Sequence, residues 1–307
     1  MEIKTNLIIS TGHRNWAIGE LALNIKRHSK KLVCRIVEFP QSRRQIRSLA
    51  GFGYFPNSQM DIYMHQDLAI EALKKKWLKP NKPTIVRYTH NNKNINNYSE
   101  IFRISKMILV ENTQIFNEIQ KLGINSKKII VKPHPIEIRN FKNLNCNQIR
   151  DVIFVSNFYE RKNPELIKSL IEFRKDLHFT IYGKNWEKYE KYTKLKKLSN
   201  LEYKNFIYSN YPEELGKHKI FCSLSKIEGG PVPLLESLAA GLIPVVTDTG
   251  YCRDVLPNEY LRFILPIESS LEEISVRIDS ALKSEPVKLD IEKYDLNNFI
   301  NFIDSLI

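Results

Sequence analysis

The sequence predicts an α/β protein built from two doubly wound parallel domains in series. Strand-length apolar runs alternate with helical patterns along the whole chain, as a parallel sheet covered by crossover helices on both faces requires. The alternation stops in a stretch without periodicity, at residues 134–151, and then starts again. The length of 307 residues, at roughly 150 per domain, is enough for two separate cores. A single large sheet is the alternative these observations leave open.

In the first half, strands are expected at 6–10, 32–39, 61–65, 84–90, 106–111 and 128–134, with helices at 17–28, 68–77 and 113–122. Gly123 stands where a helix C-cap belongs. These elements complete one Rossmann-like domain, taken as 1–145, and the stretch after His134 reads as a linker. The second domain, taken as 150–285, has strands at 151–157, 177–183, 201–207, 219–225, 243–248 and 260–266. Its helices are expected at 164–173, 186–198, 212–216, 233–240 and 271–282. Two such domains imply a deep cleft between them. A last helix at 295–307, within a tail from 286, has no predicted place.

Apolar residues at 42% and charged residues at 26% are ordinary for a globular enzyme and exclude a low-complexity chain. No run approaches the ~18 apolar residues of a membrane span. Cys34, Cys146, Cys222 and Cys252 form neither CxxC nor metal-ligand spacing, so a reducing, cytoplasmic location is expected, with the inner face of a membrane as a surface to rest on. No Asp-x-Asp, His-Glu-x-x-His or Cys/His cluster occurs, so neither a metal nor another cofactor is expected.

Charge is divided unevenly. Residues 1–149 carry 25 Lys/Arg against 10 Asp/Glu, a net of +15, whereas 150–307 carry 22 against 24, a net of −2. A codon bias toward lysine would raise both halves, so the first half is expected to face something anionic: nucleic acid, a phospholipid surface or a phosphorylated substrate. Two stretches stand out, one with Arg43, Arg44 and Arg47, the other with Lys74, Lys75, Lys76 and Trp77. The second, which also contains Leu73 and Leu78, would suit a helix lying on an anionic bilayer with its apolar side inward. The plainer reading of such a run is a solvated helix face.

The most informative segment runs from Lys226 to Gly250, KIEGGPVPLLESLAAGLIPVVTDTG. A strand ends in the turn Glu228-Gly229-Gly230-Pro231, Pro233 stands at the start of a helix, and Gly241 closes it. Backbone amides at the glycines and the first helical turn would attract a phosphate or diphosphate. Glu228 and Glu236 flank those amides, and a carboxylate there needs hydroxyl donors such as sugar or ribose diols. Such a site suggests a sugar nucleotide, although an ordinary βα turn with two surface glutamates would read the same way.

This segment resembles the donor-binding signature of family 4 glycosyltransferases, retaining enzymes with the GT-B fold of two facing Rossmann-like domains. The segment VSNFYERKNPELI from Val155 resembles the family's first carboxy-domain strand and loop, with Lys162 at the lysine position and Asn163 and Pro164 following. Ser156 and Asn157 stand where Gly-Arg is common, and Arg161 is the substitute. The resemblance extends over most of residues 100–283.

It implies that Glu228 holds the donor sugar's hydroxyls and steadies a cationic transition state, and that Glu236 meets the ribose diol. Arg161, Lys162 and the segment Gly229, Gly230, Pro231 and Leu234 would bind the donor, and the leaving diphosphate in particular. In the first half it implies roles for Gly12, in a loop leaning over the diphosphate, and for His90, reaching the donor sugar. The implied activity is retaining transfer from a nucleoside-diphosphate sugar to a hydroxyl of a glycan or lipid-linked acceptor, of the cell-surface polysaccharide or lipopolysaccharide kind. The rivals are an epimerase or hydrolase of the same fold, or a basic nucleic-acid-binding protein. Against the last, the basic half lacks an aromatic stacking motif, so no nucleic acid is expected as partner. Base recognition would fall near Phe206 to Tyr208.

Overall fold

A computed structural model describes residues 2–10, 17–39, 58–76, 78, 82–89, 94–142, 144, 150–286 and 290–306. The chain forms two compact units, Met1–Pro133 together with Leu296–Ile307, and His134–Asp295.

The first unit contains β1 (Ile3–Ser10), α1 (Ala17–His28), β2 (Leu32–Phe39), β3 (Met60–Tyr63), α2 (Gln66–Lys74), β4 (Thr84–Tyr88), α3 (Ser99–Ile104), β5 (Met107–Val110), α4 (Thr113–Lys121) and β6 (Ile129–Val131). Among the described residues its strands form one six-stranded parallel sheet in the order β2-β1-β3-β4-β5-β6. Adjacent side chains on a strand point to opposite faces, so Leu7 and Ile9 join the cluster with Leu21, Ala22 and Ile25 of α1, while Ile8 joins Tyr63, Leu68 and Val86 on the other face. Both faces are covered, which is why these strands read as mostly apolar runs.

The second unit contains β7 (Arg150–Val155), α5 (Pro164–Phe173), β8 (Phe179–Gly183), α6 (Tyr192–Leu195), β9 (Leu201–Asn205), α7 (Tyr211–Gly216), β10 (His218–Ser223), α8 (Val232–Ala239), β11 (Ile243–Thr247), α9 (Cys252–Val255), α10 (Asn258–Leu261), β12 (Ile264–Leu265) and α11 (Leu271–Leu282). Among the described residues its six parallel strands run β12-β11-β10-β7-β8-β9. The order reverses between β7 and β10. Chain connections leave those two strands toward opposite faces and open a crevice at their carboxyl ends, where a doubly wound sheet takes its ligand.

The terminal helix α12 (Leu296–Ser305) belongs to the first unit, not to the domain that precedes it in sequence. Phe299, Ile300 and Ile303 are buried against α1 and β1, each burial being worth roughly 1.5–3 kcal/mol. Asp304 fastens the helix by accepting from the Ser29 hydroxyl and from the Lys30 amide at 2.8 Å.

Several expectations are corrected. The division between units falls at Pro133, not near 145, because Ile136, Ile138 and Phe141 of the expected linker pack into the second core. The strand expected at 260–266 is the short helix α10 followed by a two-residue strand. Tyr260 and Phe263, three apart, are both buried, whereas a strand would turn them to opposite faces. The helix expected at 186–198 is a 3₁₀ turn, Trp186–Lys188, and then α6. The bilayer-facing helix expected through Trp77 stops at Lys74. Lys75 pairs with Glu71 at 2.6 Å, Lys76 turns into the left-handed region (φ 56°), and Leu78 packs on the core instead of facing outward. Arg43, Arg44, Arg47 and Trp77 lie outside the described residues. The short helix α3 had no counterpart in the sequence reading.

Buried His218 spans the start of β10, its Nδ1 at 2.9 Å from the Glu214 carbonyl and its Nε2 at 2.8 Å from the Thr180 hydroxyl. A carbonyl only accepts, so Nδ1 carries the proton and Nε2 accepts from the threonine. Burial depresses the ring from its ordinary 6.5 to about 4. As pH falls below 6.5 the unfolded chain takes up this proton first, so the stability His218 contributes is complete above pH 6.5 and is lost on descending toward 4. Urea unfolding is expected to show about 3 kcal/mol less stability at the lower end on this account, and His218→Gln, which cannot titrate, should show a correspondingly shallower decline. Parallel declines in the two proteins would exclude the effect.

Candidate active site

At the crevice between β7 and β10 the chain assembles a charge cluster from residues far apart in sequence. After β7 a 3₁₀ turn, Glu160–Lys162, is closed by Asn163 in the left-handed region (φ 59°), a conformation asparagine tolerates better than most residues. Pro164 then starts α5 at a position where a missing N–H costs nothing. After β10 the chain runs through Lys226 to Pro231 and enters α8. The loops are tied by the Lys226 amide donating to the Arg161 carbonyl at 2.8 Å and by Arg161 Nη1 donating to the Ile227 carbonyl at 3.0 Å.

Glu228 sits between two cations. Its Oε2 pairs with Arg161 Nη1 at 2.8 Å and its Oε1 with Lys162 Nζ, and its side chain is only 7% exposed. Burial alone would raise this carboxyl, but Lys162 and Arg161 outweigh it and hold the group below the usual carboxylate range. One anion shared by two cations leaves an excess positive charge. The adjacent amino end of α8 adds to it, since no side chain caps that helix. The surplus is suited to an anion such as a diphosphate.

Glu236 has the opposite environment. It lies within α8, one turn past Pro233, and accepts a hydrogen bond at Oε2 from the Tyr211 hydroxyl at 2.9 Å. Burial pushes its carboxyl up to about 7, with the tyrosine opposing the rise.

The expected site residues are thus only partly gathered. Arg161, Lys162 and Glu228 form one cluster, Gly229 and Gly230 lie in the same loop, and Pro231 is the N-cap of α8. The Leu234 side chain is fully buried in the core, and its amide donates to the Pro231 carbonyl at 2.8 Å. The helix begins at Val232, so Pro233 is second in it, not first. Gly12 and His90 lie outside the described residues. Tyr211, which sequence reading passed over, stands 25 positions before Glu236, and no spacing rule connects the two.

The loop after β7 is also shaped from behind. The Ser156 carbonyl accepts from the Trp186 indole at 2.7 Å, and the Asn157 side chain accepts from the Lys184 amide at 2.8 Å. Gly183 makes room for this arrangement, because a Cβ there would lie 1.8 Å from the Ser156 carbonyl oxygen. On the other side, Gly250 (φ 62°) packs its backbone against Gly229 and Pro231.

Residues 136–297 match the family described as glycosyl transferases group 1, which spans nearly all of the second unit. The chain belongs to this family and is a glycosyltransferase. A search of curated protein sequences finds no match. Among solved structures, Anabaena Alr3699/HepE in complex with UDP-glucose is similar at TM-score 0.72 and 12% identity, with 100% of both chains covered. The apo form of the lipopolysaccharide outer core galactosyltransferase WaaB is similar at TM-score 0.73 and 14% identity, covering 99% of this chain and 100% of that one. A glycosyltransferase from Rickettsia africae ESF-5 follows at TM-score 0.70 and 12% identity, covering 99% and 94%. The fold is GT-B.

Gly183→Ala is expected to cost about 1–3 kcal/mol or more in chemical unfolding, because the obstructing atom is backbone and cannot swing aside. A loss below roughly 1 kcal/mol would show that the β7 and β8 loops are not locked together as described.

Proposed function

We propose that this glycosyltransferase is a retaining enzyme that moves a sugar from a nucleoside-diphosphate donor to a hydroxyl of a glycan or lipid-linked acceptor. The observation that carries the reading is the cationic surplus around Glu228 at the reversal point of the second sheet. Similarity to a protein crystallised with UDP-glucose makes UDP the first base to test, and similarity to a lipopolysaccharide galactosyltransferase supports a cell-surface glycan as acceptor.

In this reading the bond between the sugar's anomeric carbon and the diphosphate oxygen breaks, and its electron pair leaves with the diphosphate. Lys162, Arg161 and the amides near Gly229 and Gly230 take up the departing charge. As the diphosphate draws the cations toward itself, the Glu228 carboxylate is released to accept hydroxyls of the donor sugar. It also steadies positive charge at the anomeric carbon while the acceptor oxygen bonds to it from the face the diphosphate vacates and passes its proton to the departing diphosphate oxygen. Glu236 accepts the ribose diol. The charge is neutralised by the chain's own groups, with no metal or other cofactor assigned.

The basic first half is proposed to rest on the anionic inner face of a membrane. Its support is the net of +15 over residues 1–149, including the exposed Lys74 and Lys76. Among the described residues no helix is long and apolar enough to cross a membrane.

Lys162→Ala and Glu228→Ala should each lower kcat/KM by about a hundredfold or more while circular dichroism stays native. UDP at about a hundred times its Kd should stabilise the wild type by about 2.7 kcal/mol in a thermal-shift assay, and Lys162→Ala should blunt that gain. Near-normal turnover in either variant would remove that residue from the site.

Sedimentation with phosphatidylglycerol vesicles is expected to carry the protein down at low ionic strength and to fail near 1 M salt. Binding that is indifferent to salt, or absent throughout, would reject the membrane surface.

A further inference from the structure

We infer that Tyr211 is a positioning residue for donor recognition, holding the Glu236 carboxylate in the orientation that meets the ribose diol. The inference rests on the assignment of Glu236 proposed above. Its geometric basis is independent of that assignment. The Tyr211 ring is 1% exposed, stacks on Tyr182 with centroids 5.7 Å apart at 11°, meets Phe141 edge-on at 5.6 Å, and touches Phe206 at 5.0 Å. Rings on several sides leave it no second rotamer to occupy. Its hydroxyl is therefore delivered to one point, 2.9 Å from Glu236 Oε2.

The neighbouring tyrosine is fixed as well. Tyr182 donates to the Ile207 carbonyl at 2.8 Å and accepts from the Ile207 amide at 3.2 Å. This pins the backbone of the loop leading into α7, where Ile207 and Tyr208 are about half exposed. The loop expected to face the base and the carboxylate expected to face the ribose are thus set by one aromatic block.

The chemistry explains why a tyrosine serves. A carboxylate offers about four lone-pair directions, and a single O–H donor occupies one while leaving the rest to accept ligand hydroxyls. A lysine in the same place would compete with the diol as a charged multiple donor, and an apolar residue would leave a buried carboxyl without that bond, at a cost in stability. Packing alone would be better served by an apolar residue at position 236.

The test is calorimetric titration of the full chain and of Tyr211→Phe with UDP and with 2′,3′-dideoxy-UDP. Phenylalanine keeps every ring contact and removes only the hydroxyl. The wild type is expected to prefer UDP by roughly tenfold or more, and the variant to lose most of that preference while its affinity for the dideoxy ligand stays within about twofold. Equal weakening toward both ligands, or an unchanged preference, would show that Tyr211 only packs and would overturn the inference. A wild type that does not distinguish the two ligands would instead overturn the ribose assignment of Glu236, and the role of Tyr211 with it.

Discussion

The second unit is organised around a carboxylate that could not be buried alone. Glu228 stays charged inside the protein because Lys162 and Arg161 reach it from a different loop, 66 or more positions earlier in the chain. Removing one partner from such a buried pair typically costs about 3–5 kcal/mol, so the loops after β7 and β10 must remain in register. The sheet order brings them together, since β7 and β10 are neighbours although α5, β8, α6, β9 and α7 separate them in sequence. The same order turns their connections to opposite faces, leaving the cluster at the carboxyl ends of the two central strands. Topology supplies the opening, and the ion cluster supplies its charge.

Around this point the backbone is packed closely enough to hold side chains to a fixed geometry. Ser156, Gly183 and Trp186 lock the base of the cationic loop, and Gly250 supports the glycine turn from the far side. Ser156, Gly183, Trp186 and Gly250 themselves are assigned no chemistry. They restrict the positions from which Arg161 and Lys162 can approach an anion, which is what positioned charge requires in order to stabilise a leaving group. The chain's return to the first unit through α12 follows a different logic. An apolar stripe at Phe299, Ile300 and Ile303 requires a partner, and the α1 face of the first sheet provides it.

Much of this fold was legible because parallel sheets covered on both faces leave continuous apolar runs, and β1, β4, β8 and β11 read in that way. The Glu228 turn was legible because a glycine pair, a proline and a helix start are local signals. What could not be read depended on contacts across the chain. Tyr260 and Phe263 are apolar enough for a strand, and only their shared burial three residues apart shows a helical turn. The apolar residues of the expected linker carry no sign of the core they join. Leu78, next to a lysine run, reads locally as a membrane contact, whereas it packs on the core. The bond between Tyr211 and Glu236 links two helices and follows no sequence period.

Glu228 and Glu236 are the same residue type eight positions apart, yet their surroundings give them opposite proton affinities. Two cations hold Glu228 ionised, while burial raises Glu236 to about 7, so near neutral pH one is a committed anion and the other is poised between its states. A fixed anion is useful where positive charge develops and then disappears, because its own charge need not change during the event. A poised carboxyl favours a different task. Hydroxyl donors aimed at it stabilise its ionised form, so a diol ligand would supply the interaction that burial withholds. On the proposed reading, desolvation and nearby charge suit Glu228 to the developing positive charge and Glu236 to the ribose diol.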